Sequence, residues 1–284
     1  MSKYPIKIAN YDFEFSNKNL NAKGSRVKRA VVDNQGAKAF FKYEGYLASE
    51  SCSEKISYEI AKILGYDCAK IELAKDENGT LGVLNYLFVN SNTTEHIDAV
   101  AYLNIHEKER EKFYTLTNIK NALDKLDKNL FKSFIRTMVC DALIGEQDRH
   151  EENWGVEKSE NKYEFSPLYD NGCSLLRNFK DENYANLYYN HEKDFDAYIN
   201  RSKTMIYKEE SKSRYKHFEL IELLKSKYSD IVIPELINLK KLTDEIIKDI
   251  VFKIPDDLLT EKHKKYIVLY LIKRRNILLA MIGE

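Results

Sequence analysis

The stretch from Asp141 to Gly172, DALIGEQDRHEENWGVEKSENKYEFSPLYDNG, constrains this chain more than any other. An apolar face made by Leu130, Phe131, Phe134, Ile135, Met138, Val139 and Ala142 runs into it and requires a buried helix. After that helix, Asp148 and Asn153 stand five residues apart in a polar segment. Strand-like composition follows at 154–156 and again at 163–169, and the polar run Lys158-Ser159-Glu160-Asn161 between them reads as a turn. A hairpin returns the chain to its starting point. Asp170 therefore arrives beside Asn153, although seventeen positions separate them in sequence.

Phosphoryl transfer to a hydroxyl asks for a carboxylate that orients the nucleophile and accepts its proton, and for oxygen ligands that hold Mg²⁺ on the phosphates. Asp148 suits the first role. Asn153 and Asp170 suit the second, because Mg²⁺ commonly uses one or two carboxylates beside phosphate and water. Asp and Asn are frequent in any loop. It is their order here, helix, DxxxxN, hairpin, Asp, that points to a kinase site with ATP and Mg²⁺ as cofactors.

A chain of 284 residues is long enough for two lobes. Its 45 basic and 45 acidic side chains cancel, so no global charge draws it to nucleic acid or to an anionic membrane. Cys52, Cys68, Cys140 and Cys173 lie far apart without a CxxC pair, which argues against a zinc site and a disulfide framework. A reducing cytoplasm is the expected compartment. The longest strongly apolar run, Tyr266 to Ile272, is too short to cross a bilayer, and the first residues have no signal-peptide core.

Residues 1–91 mix strand-like runs with one helix. Arg29 to Val32 and Ala37 to Tyr43 read as strands joined by the turn Asp33-Asn34-Gln35-Gly36. Glu54 to Leu64 reads as an amphipathic helix stopped by Gly65, and strands resume at Ala69 to Ala74 and at Leu81 to Val89. From about Asn90 helical periodicity dominates, with helices expected at 195–207, 217–228, 239–252 and 261–282. The expected fold class is α+β, a two-lobed protein-kinase-like arrangement with a strand-rich N-lobe at 1–91 and a helical C-lobe at 92–284. Lys42, at the end of the strand AKAFFK, is placed to meet the α and β phosphates, and Lys38 lies too early in that strand. Glu54 and Glu59 on the next helix point roughly 140° apart, so only one of them can face Lys42. Gly24 and Ser25, in the polar segment Asn21 to Lys28, fall where a phosphate-covering loop belongs, although one glycine is far from a GxGxxG pattern. Phe88 and Val89, at the end of a strand, are the candidate adenine hinge.

The motifs DxHxxN (Asp148, His150, Asn153) and PxYD (Pro167, Tyr169, Asp170), with Glu54, Ala61 and Gly65 fitting an upstream ExxxxxxAxxxG helix, resemble the HipA-like family of bacterial Ser/Thr kinases. The resemblance covers most of the chain. It implies Asp148 as catalytic base, Asn153 and Asp170 as Mg²⁺ ligands, Lys42 as the ATP lysine with Glu54 as its partner, and His150 as a support of the catalytic loop. It also implies a protein substrate, with translation components as candidates. Two departures matter. The chain reaches Lys42 without the additional N-terminal subdomain of the toxin members, which puts a DNA-binding antitoxin partner in doubt. Its loop Lys23-Gly24-Ser25-Arg26 is also less glycine-rich than the family's, and Ser25 only resembles in position the serine that some relatives autophosphorylate.

Asp148-Arg149-His150 also looks like the catalytic loop of phosphoinositide kinases. A neutral chain without a polybasic segment fits a lipid substrate poorly. A nucleotide-binding pseudokinase is the non-enzyme alternative, and the presence of Lys42, Asp148, Asn153 and Asp170 together argues against it.

Overall fold

The computed structural model describes residues 2–12, 14, 28–44, 49–88, 93–105, 107–160, 162–177 and 192–283. Five strands, β1 (Lys7–Tyr11), β2 (Lys28–Asp33), β3 (Lys38–Tyr43), β4 (Ile71–Lys75) and β5 (Leu81–Tyr86), close into a barrel in the order β1-β2-β3-β5-β4. The β2–β3 hairpin forms where its turn residues predict. Asp33 Oδ1 accepts the backbone N–H of Gln35 and of Ala37, both at 2.9 Å, and Gly36 supplies the positive φ of 79°. β1 closes the barrel by pairing antiparallel with β2 and parallel with β4. Gly82 in β5 permits the closest approach to the Lys42 strand, since a Cβ there would lie 2.3 Å from the Lys42 carbonyl oxygen.

Between β3 and β4 runs α1 (Glu50–Leu64), ended by Gly65 in the left-handed conformation as its sequence requires. The helix begins four residues before Glu54, and its first eight residues, Glu50 to Ser57, are all buried. The remainder is largely helical: α2 (Ala99–Leu103), α3 (Arg110–Phe113), α4 (Leu116–Leu126), α5 (Leu130–Ile144), α6 (Glu192–Arg201), α7 (His217–Lys227), α8 (Ser229–Asn238), α9 (Asp244–Phe252) and α10 (Glu261–Ala280). Packing explains the burial of α1. One side lies on β4 and β5, the other against α9. Lys55 is held inside by Glu59 and Glu72, both at 2.9 Å, and by the Ile71 carbonyl at 3.0 Å.

Helix α5 buries the face its periodicity predicts, and Phe134 meets Trp154 at a ring separation of 4.8 Å. Trp154 precedes β7 (Gly155–Ser159), which forms the expected hairpin with β8 (Lys162–Phe165). A third strand, β6 (Glu95–Asp98), pairs with β7 in a region where helix was expected. Two other expectations need correction. The expected helix at 195–207 stops at Arg201 and gives way to strand β9 (Lys203–Tyr207), paired with β10 (Arg214–Lys216). Thr204, Met205 and Ile206 are buried there, and burial on a sheet of a segment with β-branched Thr204 and Ile206 outweighs its weak helical spacing. The expected helix at 239–252 is a single 3₁₀ turn at Leu239–Lys241 followed by α9, whose own start is capped by Thr243 accepting from the Ile246 N–H. Helix α8 precedes that turn and carries Pro234 within it. Among the described residues, no helix is long and apolar enough to cross a membrane.

Candidate active site

Lys42 leaves β3 on the face opposite Ala39 and Phe41, which fill the barrel, and ends between two carboxylates contributed by distant parts of the chain. Its Nζ donates to Glu54 Oε1 and to Asp170 Oδ1, each at 2.6 Å. Glu59 points elsewhere and pairs with Lys55 and Lys62, so of the two candidate glutamates α1 presents Glu54 to the lysine. Glu54 is itself fixed, because its Oε2 accepts the Asn171 N–H at 3.2 Å. Burial disfavours the Lys42 ammonium, but the two carboxylates outweigh it and raise its pKa above the ordinary lysine value. For Asp170, burial likewise opposes ionisation, and the Lys42 ammonium overrides it to hold the carboxyl at about 2. Asp170 also sits at a φ of 54°, in the left-handed region that Asp tolerates better than most residues.

The hairpin delivers Asp170 as its geometry demands, and one arginine fastens the return. Arg149 is buried and donates from Nε and Nη2 to both oxygens of Asp141, at 3.1 and 2.9 Å. The same guanidinium donates to the carbonyls of Asn153 at 2.9 Å and Tyr169 at 2.6 Å, and to Asn171 Oδ1. It thereby ties the end of α5, the Asp148 loop and the Asp170 segment into one unit. The planar fork of arginine suits this task, and a lysine could not reach so many acceptors.

Within the loop, the Asn153 side-chain N–H donates to the Asp148 carbonyl at 2.7 Å, and the His150 N–H donates to that same oxygen at 2.8 Å. Asn153 keeps its Oδ1 as an acceptor with no protein partner among the described residues. His150 accepts the Glu152 N–H through Nδ1 at 3.2 Å and so braces the turn. Asp148 is half-buried, and its Oδ2 receives a 3.5 Å contact from the Cys173 thiol. An amide oxygen and one carboxylate offer a hard cation two protein ligands, leaving phosphate and water for the rest, which is what Mg²⁺ commonly takes. No cluster of three or more His, Cys, Asp or Glu among the described residues competes for a metal.

Phe88 lies beyond the end of β5, its ring 5.8 Å from Tyr169 and 5.6 Å from His96. Gly24, Ser25 and Val89 fall outside the described residues. Sequence reasoning did not anticipate three participants: Glu146, whose Oε1 accepts the Asp148 N–H at 2.8 Å; Glu151, gripped by Arg110 through bonds of 2.9 to 3.1 Å; and His217, whose Nε2 donates to the Glu146 carbonyl at 2.6 Å. One signal was available. Asp141 interrupts the apolar last turns of α5, Met138 to Ile144, and a buried acid requires a cation, which Arg149 supplies.

A mixed α/β fold with a buried lysine clamped between a helix glutamate and an aspartate beyond a hairpin defines the class, and comparison with known proteins places it. The model of the HipA-like C-terminal domain matches residues 20–254, and the chain belongs to that family. No curated protein matches the sequence. Among solved structures, CtkA, a proinflammatory kinase of Helicobacter pylori, is similar with a TM-score of 0.80 and 19% identity, over 97% of this chain and 98% of that one. HipA of Shewanella oneidensis MR-1, solved with HipB and operator DNA, is similar with a TM-score of 0.62 and 14% identity, over 96% of this chain and 68% of that one. At these identities the likeness is one of fold.

Proposed function

We propose that this chain is an ATP- and Mg²⁺-dependent kinase that transfers the γ-phosphoryl group to a serine or threonine hydroxyl of a protein. The observation that carries the reading is the convergence of Lys42, Glu54 and Asp170 from positions up to 128 residues apart, next to the loop that bears Asp148 and Asn153. The barrel and α1 serve as the N-lobe within 1–91, and the helical remainder as the C-lobe. Asp148 accepts the proton of the acceptor hydroxyl while that oxygen bonds to the γ-phosphorus, the bond to the bridging oxygen breaks and ADP departs with its electron pair. Lys42 orients the phosphates and Glu54 holds Lys42 in place. Mg²⁺, when bound with nucleotide, supplies neutralising charge on the phosphates, and Asn153 Oδ1 with the Asp170 carboxylate would hold it. Phe88 borders the base; for Gly24, Ser25 and Val89, which lie outside the described residues, the phosphate-covering and hinge roles are proposed from the sequence alone. CtkA is described as a kinase, and the shared fold agrees with this reading.

The test is Mg²⁺-dependent ADP formation and phosphate incorporation by the full chain, with Asp148→Asn as control. The variant should fold and lose roughly two to four orders of magnitude in rate, the range for removal of a positioned general base. Wild-type rates in the variant would remove Asp148 from that role.

A further inference from the structure

Helix α5 ends in a turn with no room for error. Gly145 is left-handed at a φ of 72°, and a Cβ on it would lie 1.9 Å from the Tyr270 hydroxyl. The turn drives Glu146 inward, where it is 1% exposed. Oε1 accepts the Asp148 N–H at 2.8 Å, whereas Oε2 is buried with no hydrogen-bond partner. Behind it stands a relay of buried groups. Arg274 on α10 donates to Ala142 O at 2.7 Å and to Ser202 Oγ at 2.9 Å. Ser202 Oγ meets His217 Nδ1 at 2.6 Å, and His217 Nε2 donates to the Glu146 carbonyl. Since a carbonyl can only accept, the imidazole proton is on Nε2 and the serine hydroxyl donates to Nδ1. The backbone of Glu146 is thus held from one side and its carboxyl grips the next functional residue on the other.

We propose that Glu146 is a positioning residue for Asp148: its carboxyl fixes the backbone of the base through the Asp148 N–H, and it does so in the protonated, uncharged form. The proposal rests on the reading of Asp148 as base. A buried carboxylate with an unpartnered oxygen would be an uncompensated charge, and a proton on Oε2 removes it. The surroundings agree. Burial raises the Glu146 pKa to about 8, with Asp141 and Asp170 pushing the same way and Arg149 and the Asp148 N–H opposing. The other groups that bear on it are the Cys173 thiol, the Tyr270 hydroxyl, the neutral His217 and Arg274, and Arg274 is engaged with Ala142, Ile199 and Ser202. Above about pH 8 the side chain ionises; the charge strengthens its bond to the Asp148 N–H, but a charge buried this deeply beside Asp141 and Asp170 destabilises the folded loop that the clamp holds.

Three variants of the full chain test this: Glu146→Gln, Glu146→Ala and, as a control on the functional reading, Asp148→Asn. Glu146→Gln keeps a carbonyl acceptor for the Asp148 N–H and cannot ionise. It should retain kcat within about threefold and hold its rate from pH 7 to 9, whereas the wild type declines above about 8. Glu146→Ala should lose roughly tenfold or more in kcat, as expected for a displaced base, with KM for ATP within about twofold. Hydrogen exchange of the Asp148 amide gives a readout that needs no turnover: Glu146→Ala should accelerate it at least tenfold and Glu146→Gln should not. Unaltered Asp148 exchange in Glu146→Ala, or the same alkaline decline in Glu146→Gln as in the wild type, overturns the proposal. If the wild type turns over no ATP while the exchange result holds, the kinase reading fails and the clamp stands.

Discussion

Two cations lie at the centre of this molecule, and their surroundings differ in one respect that separates chemistry from scaffolding. Lys42 and Arg149 are both buried, and both face carboxylates. Arg149 is saturated: Asp141 lies on one side, and the carbonyls of Asn153 and Tyr169 and the Asn171 amide take its remaining donors. Lys42 is bound by two side-chain carboxylates only, and one of them, Asp170, keeps 29% of its side chain exposed. A saturated cation has nothing left to offer a ligand. A cation held on one side by carboxylates, one of them open to solvent, can exchange a protein oxygen for a phosphate oxygen without unfolding anything.

The comparison breaks most easily at Arg149. Replacement by Met leaves Asp141 as an uncompensated buried charge and frees three backbone or amide acceptors, so we expect a loss of about 3–5 kcal/mol in denaturant unfolding. A stability loss below about 1 kcal/mol would mean that Arg149 does not organise the loop. Lys42→Met should sharpen the contrast in the opposite sense. Turnover should fall by roughly two orders of magnitude or more, as for removal of a preorganised electrostatic donor. Its stability should fall less than that of Arg149→Met, because Glu54 keeps the Asn171 N–H and Asp170 reaches solvent.

A third test concerns the support behind the loop. Burial, helped by the nearby Arg274 charge, lowers the His217 pKa to about 3, so the folded protein holds it neutral while the unfolded chain protonates it near 6.5. Its contribution is therefore complete above about pH 6.5 and is lost progressively as pH falls from there toward 3, by up to roughly 1.4 kcal/mol per pH unit. Unfolding measured from pH 7.5 to 4.5 should show this slope, and His217→Gln should flatten it. The smallest effect belongs to α1: Glu59→Gln should change phosphotransfer little and stability by about 1–2 kcal/mol, because the buried Lys55 keeps Glu72 and the Ile71 carbonyl, while Glu54→Gln impairs turnover. A damaging Glu59→Gln beside a silent Glu54→Gln would place the lysine partner elsewhere on the helix.

What could be read from residues alone follows the range of the forces involved. The β2–β3 turn, the stop at Gly65, the buried face of α5 and the β7–β8 hairpin all rest on neighbours within a few positions, and each is present, although the hairpin's turn is tighter than expected, with Lys158 and Ser159 inside β7 and β8 ending at Phe165. Helical spacing puts Glu54 and Glu59 on different faces but does not choose between them; the choice of Glu54 rests on the family-like spacing to Gly65. Strand β1 was not legible, because its partners β2 and β4 lie far along the chain and its own composition is ordinary. Neither was the Glu146–His217–Ser202–Arg274 relay, whose members meet across 71 and 72 residues and individually resemble surface polar groups. The helix expected through Tyr207 failed for the same reason: the partner strand that claims Lys203–Tyr207 is visible only in three dimensions.

On the kinase reading, the burial of α1 on two faces bears on how the site can be governed. Among the described residues, the helix is packed between β4 and β5 on one side and α9 on the other, with Lys55 locked to Glu59 and Glu72. Glu54 stands beside Lys42. On the proposed reading, restraint falls to what lies outside the helix: to which acceptor reaches Asp148, or to what exchanges with the partly exposed Asp170 at Lys42.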